Sequence, residues 1–116
     1  MPDQSGLREA VVLVYATCPD VNTAREIAHQ IVGERLAACA NILPGMEAVY
    51  RWDDKVEMAG EVVVIFKTLA QTADRTVARI VGLHPYDVPA ALIIPVTGGS
   101  DAFLDWVSSC VAEGEG

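Results

Sequence analysis

The stretch EVVVIFKT, Glu61–Thr68, decides the fold. Val62, Val63, Val64, Ile65 and Phe66 follow one another with no polar residue between them. Successive side chains of a strand point to opposite faces, so this run asks for both faces to leave water. A second run of the same kind, VVLVYAT, occupies Val11–Thr17. Two such strands belong in the middle of a sheet.

The flanking segments supply the rest of the sheet and its cover. VNTAREIAHQIVGERLAACA is helical, with Thr23 and Glu26 at capping-box spacing and Ala24, Ile27, Ala28, Ile31 and Val32 on one stripe. From Met46 to Trp52 apolar and polar residues alternate as on a half-exposed strand, and Asp53 to Gly60 serve as the hairpin turn. A second helix starts near Thr72 and turns Ala73, Val77, Ile80 and Val81 inward. In LHPYDVPAALIIPV, Pro85 and Pro89 push His84 and Val88 away from helical angles. A stiff loop therefore carries Tyr86 and Asp87 into the strand ALIIPV, whose Pro95 suits a sheet edge. Ser100 caps a last helix with Phe103, Trp106, Val107 and Cys110 on one face.

The order β-α-β-β-α-β plus a C-terminal helix predicts an α+β, ferredoxin-like sandwich. Strands one and three take its centre, strands two and four its edges. The domain spans residues 7–112, with flexible ends at 1–6 and 113–116.

Composition narrows the function. With 116 residues and 52% hydrophobic content, the chain can bury one core. A formal net charge of −8 argues against nucleic acid and against anionic lipid. No apolar run reaches membrane-spanning length, and MPDQSGLREA shows no leader pattern. Cys18, Cys39 and Cys110 are too far apart for a CxxC knuckle and odd in number, which fits reduced thiols and a cytoplasmic home.

Two crossover helices cover one face of a four-stranded sheet, yet both central strands are apolar on both faces. An exposed apolar face of that size is unusual in a soluble monomer. The sequence therefore predicts an oligomer, with coverage by the C-terminal helix as the alternative.

RLAACANILPG, YRWDDKVEMAGEVVVIFKT, LHPYDVPA and IIPVTGGSDAFLDWV resemble, in this order, the signature segments of the CutA divalent-cation tolerance family. The resemblance runs from about Val11 to Val107. It implies a homotrimer of ferredoxin-like domains whose long hairpin reaches a neighbour. It also implies a role in tolerance of divalent metals, copper among them. No nucleophile, base and orienting group stand at catalytic spacing in the sequence, so an enzyme is the weakest expectation. A protein partner, which the sequence does not identify, is compatible with the resemblance. The alternative function is a small-molecule sensor or scaffold in the manner of the trimeric PII signalling proteins, with its ligand between subunits.

Candidate residues follow from placement. Strand four is antiparallel to strand one, so the His84 loop and the Thr17-Cys18-Pro19 turn share one end of the sheet. Cys18 and His84 are candidate metal ligands, since sulfur and imidazole nitrogen suit copper or zinc. The chain departs from the pattern the resemblance implies: copper-binding relatives would show a cysteine at Ala16 and a His-His pair at Leu83-His84, and the family's usual glutamate after HPYxVP is Ala90 here. For His84 the other reading is a helix end with local hydrogen bonds. Tyr50, Trp52, Glu61, Lys67 and Tyr86 are candidates for an inter-subunit cleft. Lys67 either pairs with Glu61 or with a neighbouring chain, or marks the wet end of its strand; the three rings alternatively pack at an interface.

Overall fold

The computed structural model describes residues 10–111, so the flexible ends expected at 1–6 and 113–116 lie outside the described residues. Seven elements follow in order: β1 (Val11–Cys18), α1 (Val21–Gly33), β2 (Cys39–Trp52), β3 (Lys55–Leu69), α2 (Ala70–Leu83), β4 (Ala91–Pro95) and α3 (Asp101–Cys110). The sheet order is β2-β3-β1-β4, and every pairing is antiparallel. The two apolar runs are the central strands, and Pro95 sits on the edge strand opposite Val12.

Register sorts the side chains. Val14 faces Phe66 and Ala16 faces Val64 across the β1–β3 pair. These residues, with Cys18 and Val62, form one core with Ala24, Ile27 and Ile31 of α1 and Ile80 of α2. The alternate positions Leu13, Tyr15, Ile65, Leu92 and Ile94 form the other face, away from both crossover helices. There α3 packs Leu104 and Val107 against Val11 and Leu69, covering one end only. Beyond it Leu92 and Ile94 remain 59% and 41% exposed. Among the described residues no helix is long and apolar enough to cross a membrane.

Three boundaries differ from the sequence reading. Helix α1 begins earlier, because Asp20, not Thr23, is the cap: its Oδ1 accepts the Thr23 amide at 2.7 Å. Strand β3 runs directly into α2 at Ala70, so Thr72 lies buried inside the first turn instead of starting the helix. The hairpin turn shrinks to Asp53 and Asp54, at φ 55° and 62°. Two successive positive φ values match the right-handed strand twist, and aspartate tolerates them. The ribbon therefore extends to Trp52 and Lys55, drawing the molecule out to 56 Å in its longest dimension. Its polar residues pointed to a loop because this ribbon projects beyond the core.

Within the ribbon, β2 carries a bulge between Leu43 and Met46, where Gly45 adopts φ 84°. One extra residue on one strand reverses the alternation beyond it. Met46, Ala48, Tyr50 and Trp52 thereby continue the face that Leu43 began.

Candidate functional site

The site grows from the end of α2. His84 leaves the helix in extended conformation, at φ −80° and ψ 143°, as the following proline requires. Its ring turns back over the sheet. The His84 Nδ1 accepts the Tyr86 amide at 3.1 Å, which leaves Nε2 to donate to the Thr17 carbonyl at 2.7 Å. This buried imidazole ties the loop to the end of β1. It also orients the next ring: the Tyr86 centroid lies 4.8 Å from that of His84. The Tyr86 hydroxyl then donates to Glu61 Oε2 at 3.2 Å. Burial, followed by the Glu61 bond and charge, raises the Tyr86 phenol above its usual range.

A cleft of about 670 Å³ opens beside this pair. Tyr50 and Trp52 of the ribbon line it, opposite Tyr86 and Asp87 of the loop, with Glu61 and Thr17 between them. Four of the five residues expected at a cleft are thus brought together: Tyr50, Trp52, Glu61 and Tyr86. Lys67 is not among them. Six residues along β3 from Glu61 correspond to about 20 Å of strand. Lys67 instead donates to the Asn41 side chain and stands 5.8 Å from the Phe103 ring centroid. The loop also brings in Ala90, named above only for the family's glutamate, and ribbon and loop add Ala48, Ala59 and Val88, none of them expected at a cleft. The only advance signal for these three was position, two residues from a named aromatic or acidic side chain.

The proposed metal ligands fare differently. Cys18 follows Thr17, and strand alternation turns it to the helix-covered face, where it is 1% exposed. Burial pushes its thiol up to about 11, with the Asp20 and Glu61 charges adding to the effect. Metal ligation needs the thiolate. Both ring nitrogens of His84 already have backbone partners. Cys18 and His84 are neighbours in the fold, but they do not present an open donor pair. Among the described residues no three His, Cys, Asp or Glu side chains gather as a metal-binding group.

The sequence model of the CutA1 divalent ion tolerance protein family matches residues 12–110. The chain belongs to that family. Among its CutA relatives, a chloroplastic CutA protein of Arabidopsis thaliana is 40% identical over 98 residues. That match covers 84% of this chain and 54% of the relative. Against the first curated relatives, both plant CutA proteins, the chain thus spans little more than half their length. The divalent-cation tolerance protein CutA of Escherichia coli is 36% identical over 109 residues, covering 94% of this chain and 97% of the relative. The crystal structure of CutA from Xylella fastidiosa superposes with a TM-score of 0.86 at 37% identity, covering 89% of this chain and 99% of that one. The CutA fold thus agrees with the ferredoxin-like expectation.

Proposed function

We propose that this chain works as a cytoplasmic homotrimer in divalent-cation tolerance, responding to metal ions by binding rather than by catalysis. The apolar second face of the sheet carries the assembly part of this reading. Leu13, Tyr15, Ile65, Leu92 and Ile94 lie outside the cover given by α3, and further copies of this chain are their simplest complement. Three free cysteines accord with a reducing compartment. Family membership carries the metal part, and copper is the first ion to test.

Metal at Cys18 and His84 would require the loop to release the imidazole and the core to release the thiol. The reading therefore places the metal response elsewhere than in this pair. Titration of the purified protein with Cu(I) and Cu(II) is expected to give equal affinities for wild type, Cys18→Ser and His84→Ala. A loss of about ten-fold or more in either variant would return the pair to the mechanism. Light scattering should report three times 12.4 kDa. Leu92→Glu, at an exposed position of an edge strand, should dissociate the assembly while leaving the circular dichroism unchanged. A wild-type particle of a single chain overturns the trimer.

The cleft favours a second reading, a PII-like small-molecule sensor or scaffold whose ligand sits between subunits. Its aromatic walls and volume suit an organic ligand. A thermal-shift screen separates the two: stabilisation by a metabolite and none by metals supports the sensor.

A further inference from the structure

The cleft has a chemical bias beyond its size. Its lining includes three aromatic side chains, Tyr50, Trp52 and Tyr86, and two carboxylates, Glu61 and Asp87. Among the described residues no lysine, arginine or histidine lines it. The ribbon's Lys55, cross-strand from Trp52 at the hairpin tip, stands outside the lining. A phosphate or carboxylate ligand would meet acidic groups with no counter-charge. A bare divalent ion would find two carboxylates and three ring faces, where hard cations require about six oxygen ligands.

Aromatic rings around acidic groups favour a different guest. Ring faces carry negative charge and attract cations whose own charge is spread over methyl or methylene groups. Carboxylates add long-range attraction, and a chain of net charge −8 concentrates cations around itself. In the isolated chain the rings are accessible: Trp52 is 68% exposed, and Tyr50 and Tyr86 are both above 40%. They are also held. The ribbon register fixes Tyr50 and Trp52 on one face, while His84 and Glu61 fix Tyr86. A carboxylate accepting one hydrogen bond from Tyr86 keeps further acceptor capacity for an ammonium group.

We propose that this cleft binds an organic ammonium cation, held by the rings of Tyr50, Trp52 and Tyr86 and by the charges of Glu61 and Asp87. The proposal rests on the small-molecule reading and names its ligand class.

Choline is the probe, and its neutral isostere 3,3-dimethylbutan-1-ol is the control. Titrations use the full chain in its assembled state, followed by the indole N–H resonances of Trp52 and Trp106. Choline is expected to move Trp52 and leave Trp106 in place, with the isostere at least about five-fold weaker. Trp52→Ala and Glu61→Gln should each weaken choline by about five-fold or more, with unchanged mass by light scattering. Equal binding of choline and its isostere, or choline binding untouched by both substitutions, overturns the proposal. So does an unmoved Trp52 resonance, the result expected if a second copy fills the cleft. A single-chain mass would overturn the trimer by itself, and the choline titration on that same protein would still decide the ligand class.

Discussion

Thr76, fully buried on α2, donates its hydroxyl to the backbone carbonyl of Leu36 at 2.7 Å, across 40 positions of sequence. Thr68 of β3 donates to the same carbonyl at 2.8 Å. Two hydroxyls from two elements thus hold the segment between α1 and β2 against the core. Thr72, one turn before Thr76, is equally buried, and its Oγ1 finds no partner among the described residues. The two threonines should respond oppositely to the same substitution. Thr76→Val removes a satisfied bond and is expected to cost about 1 kcal/mol. Thr72→Val removes an unsatisfied hydroxyl at constant shape and is expected to gain about 1 kcal/mol. Urea midpoints at one fixed protein concentration give the comparison, since assembly makes stability depend on concentration. Equal destabilisation by both would show that Thr72 is satisfied in solution.

Cys18 predicts an alkaline limb of stability. Its thiol is raised from 9.0 to about 11 in the folded chain, chiefly by burial. A raised value means that the native state holds the proton more tightly than the unfolded chain. The contribution is therefore complete below about 9 and lost as pH rises toward about 11. Cys18→Ala should flatten the fall in urea midpoint across that window. The same burial should leave Cys18 unreactive to a thiol reagent in the folded protein, while the partly exposed Cys39 and Cys110 are modified. Rapid labelling of all three would contradict the core placement.

Glu34 governs part of the acid limb. Arg79 donates to both of its oxygens, at 3.0 Å from Nε and 2.8 Å from Nη2, linking α1 to α2. These bonds, and then that from Gln30, hold the Glu34 carboxyl below its usual range. A lowered value reverses the sign: its contribution is present above the unfolded carboxylate range and is lost as pH falls through the folded value. Glu34→Gln should shallow the acid decline and lessen its sensitivity to salt, because this pair is solvent-accessible. An acid limb identical to wild type would mean that the pair contributes nothing in solution.

Tyr86 offers a spectroscopic check on the candidate cleft. Its phenol is raised from 10.0 by burial and by Glu61. In an ultraviolet titration, Tyr86→Phe should remove amplitude from the high-pH end of the curve. Glu61→Gln should move that amplitude to lower pH, since a negative neighbour opposes formation of a phenolate. Retention of the late amplitude in Tyr86→Phe would assign it to another residue.

The sequence by itself determined the element order, the central place of the runs Val11–Thr17 and Glu61–Thr68, and the edge place of the Pro95 strand. These properties are local: periodicity and proline angles act within a few residues, and an apolar run cannot sit at a wet edge. It also put the His84 loop and the Thr17-Cys18-Pro19 turn at one end of the sheet, because antiparallel topology assigns each strand end to one end, and the His84 ring meets the Thr17 carbonyl there. Tertiary structure alone decided what the candidate side chains face. The bulge at Gly45 turns Tyr50 and Trp52 to the open face, and a ribbon reaching Asp53 and Asp54 supplies the wall they form. Lys67, on the same strand and face as Glu61, went to Asn41 instead of the cleft. Cys18 and His84, read as a ligand pair, are neighbours whose donors are taken, the thiol lying in the core while the imidazole holds the carbonyl of Thr17. A one-residue change of register reverses every side chain beyond it, and no local pattern in the sequence records that count.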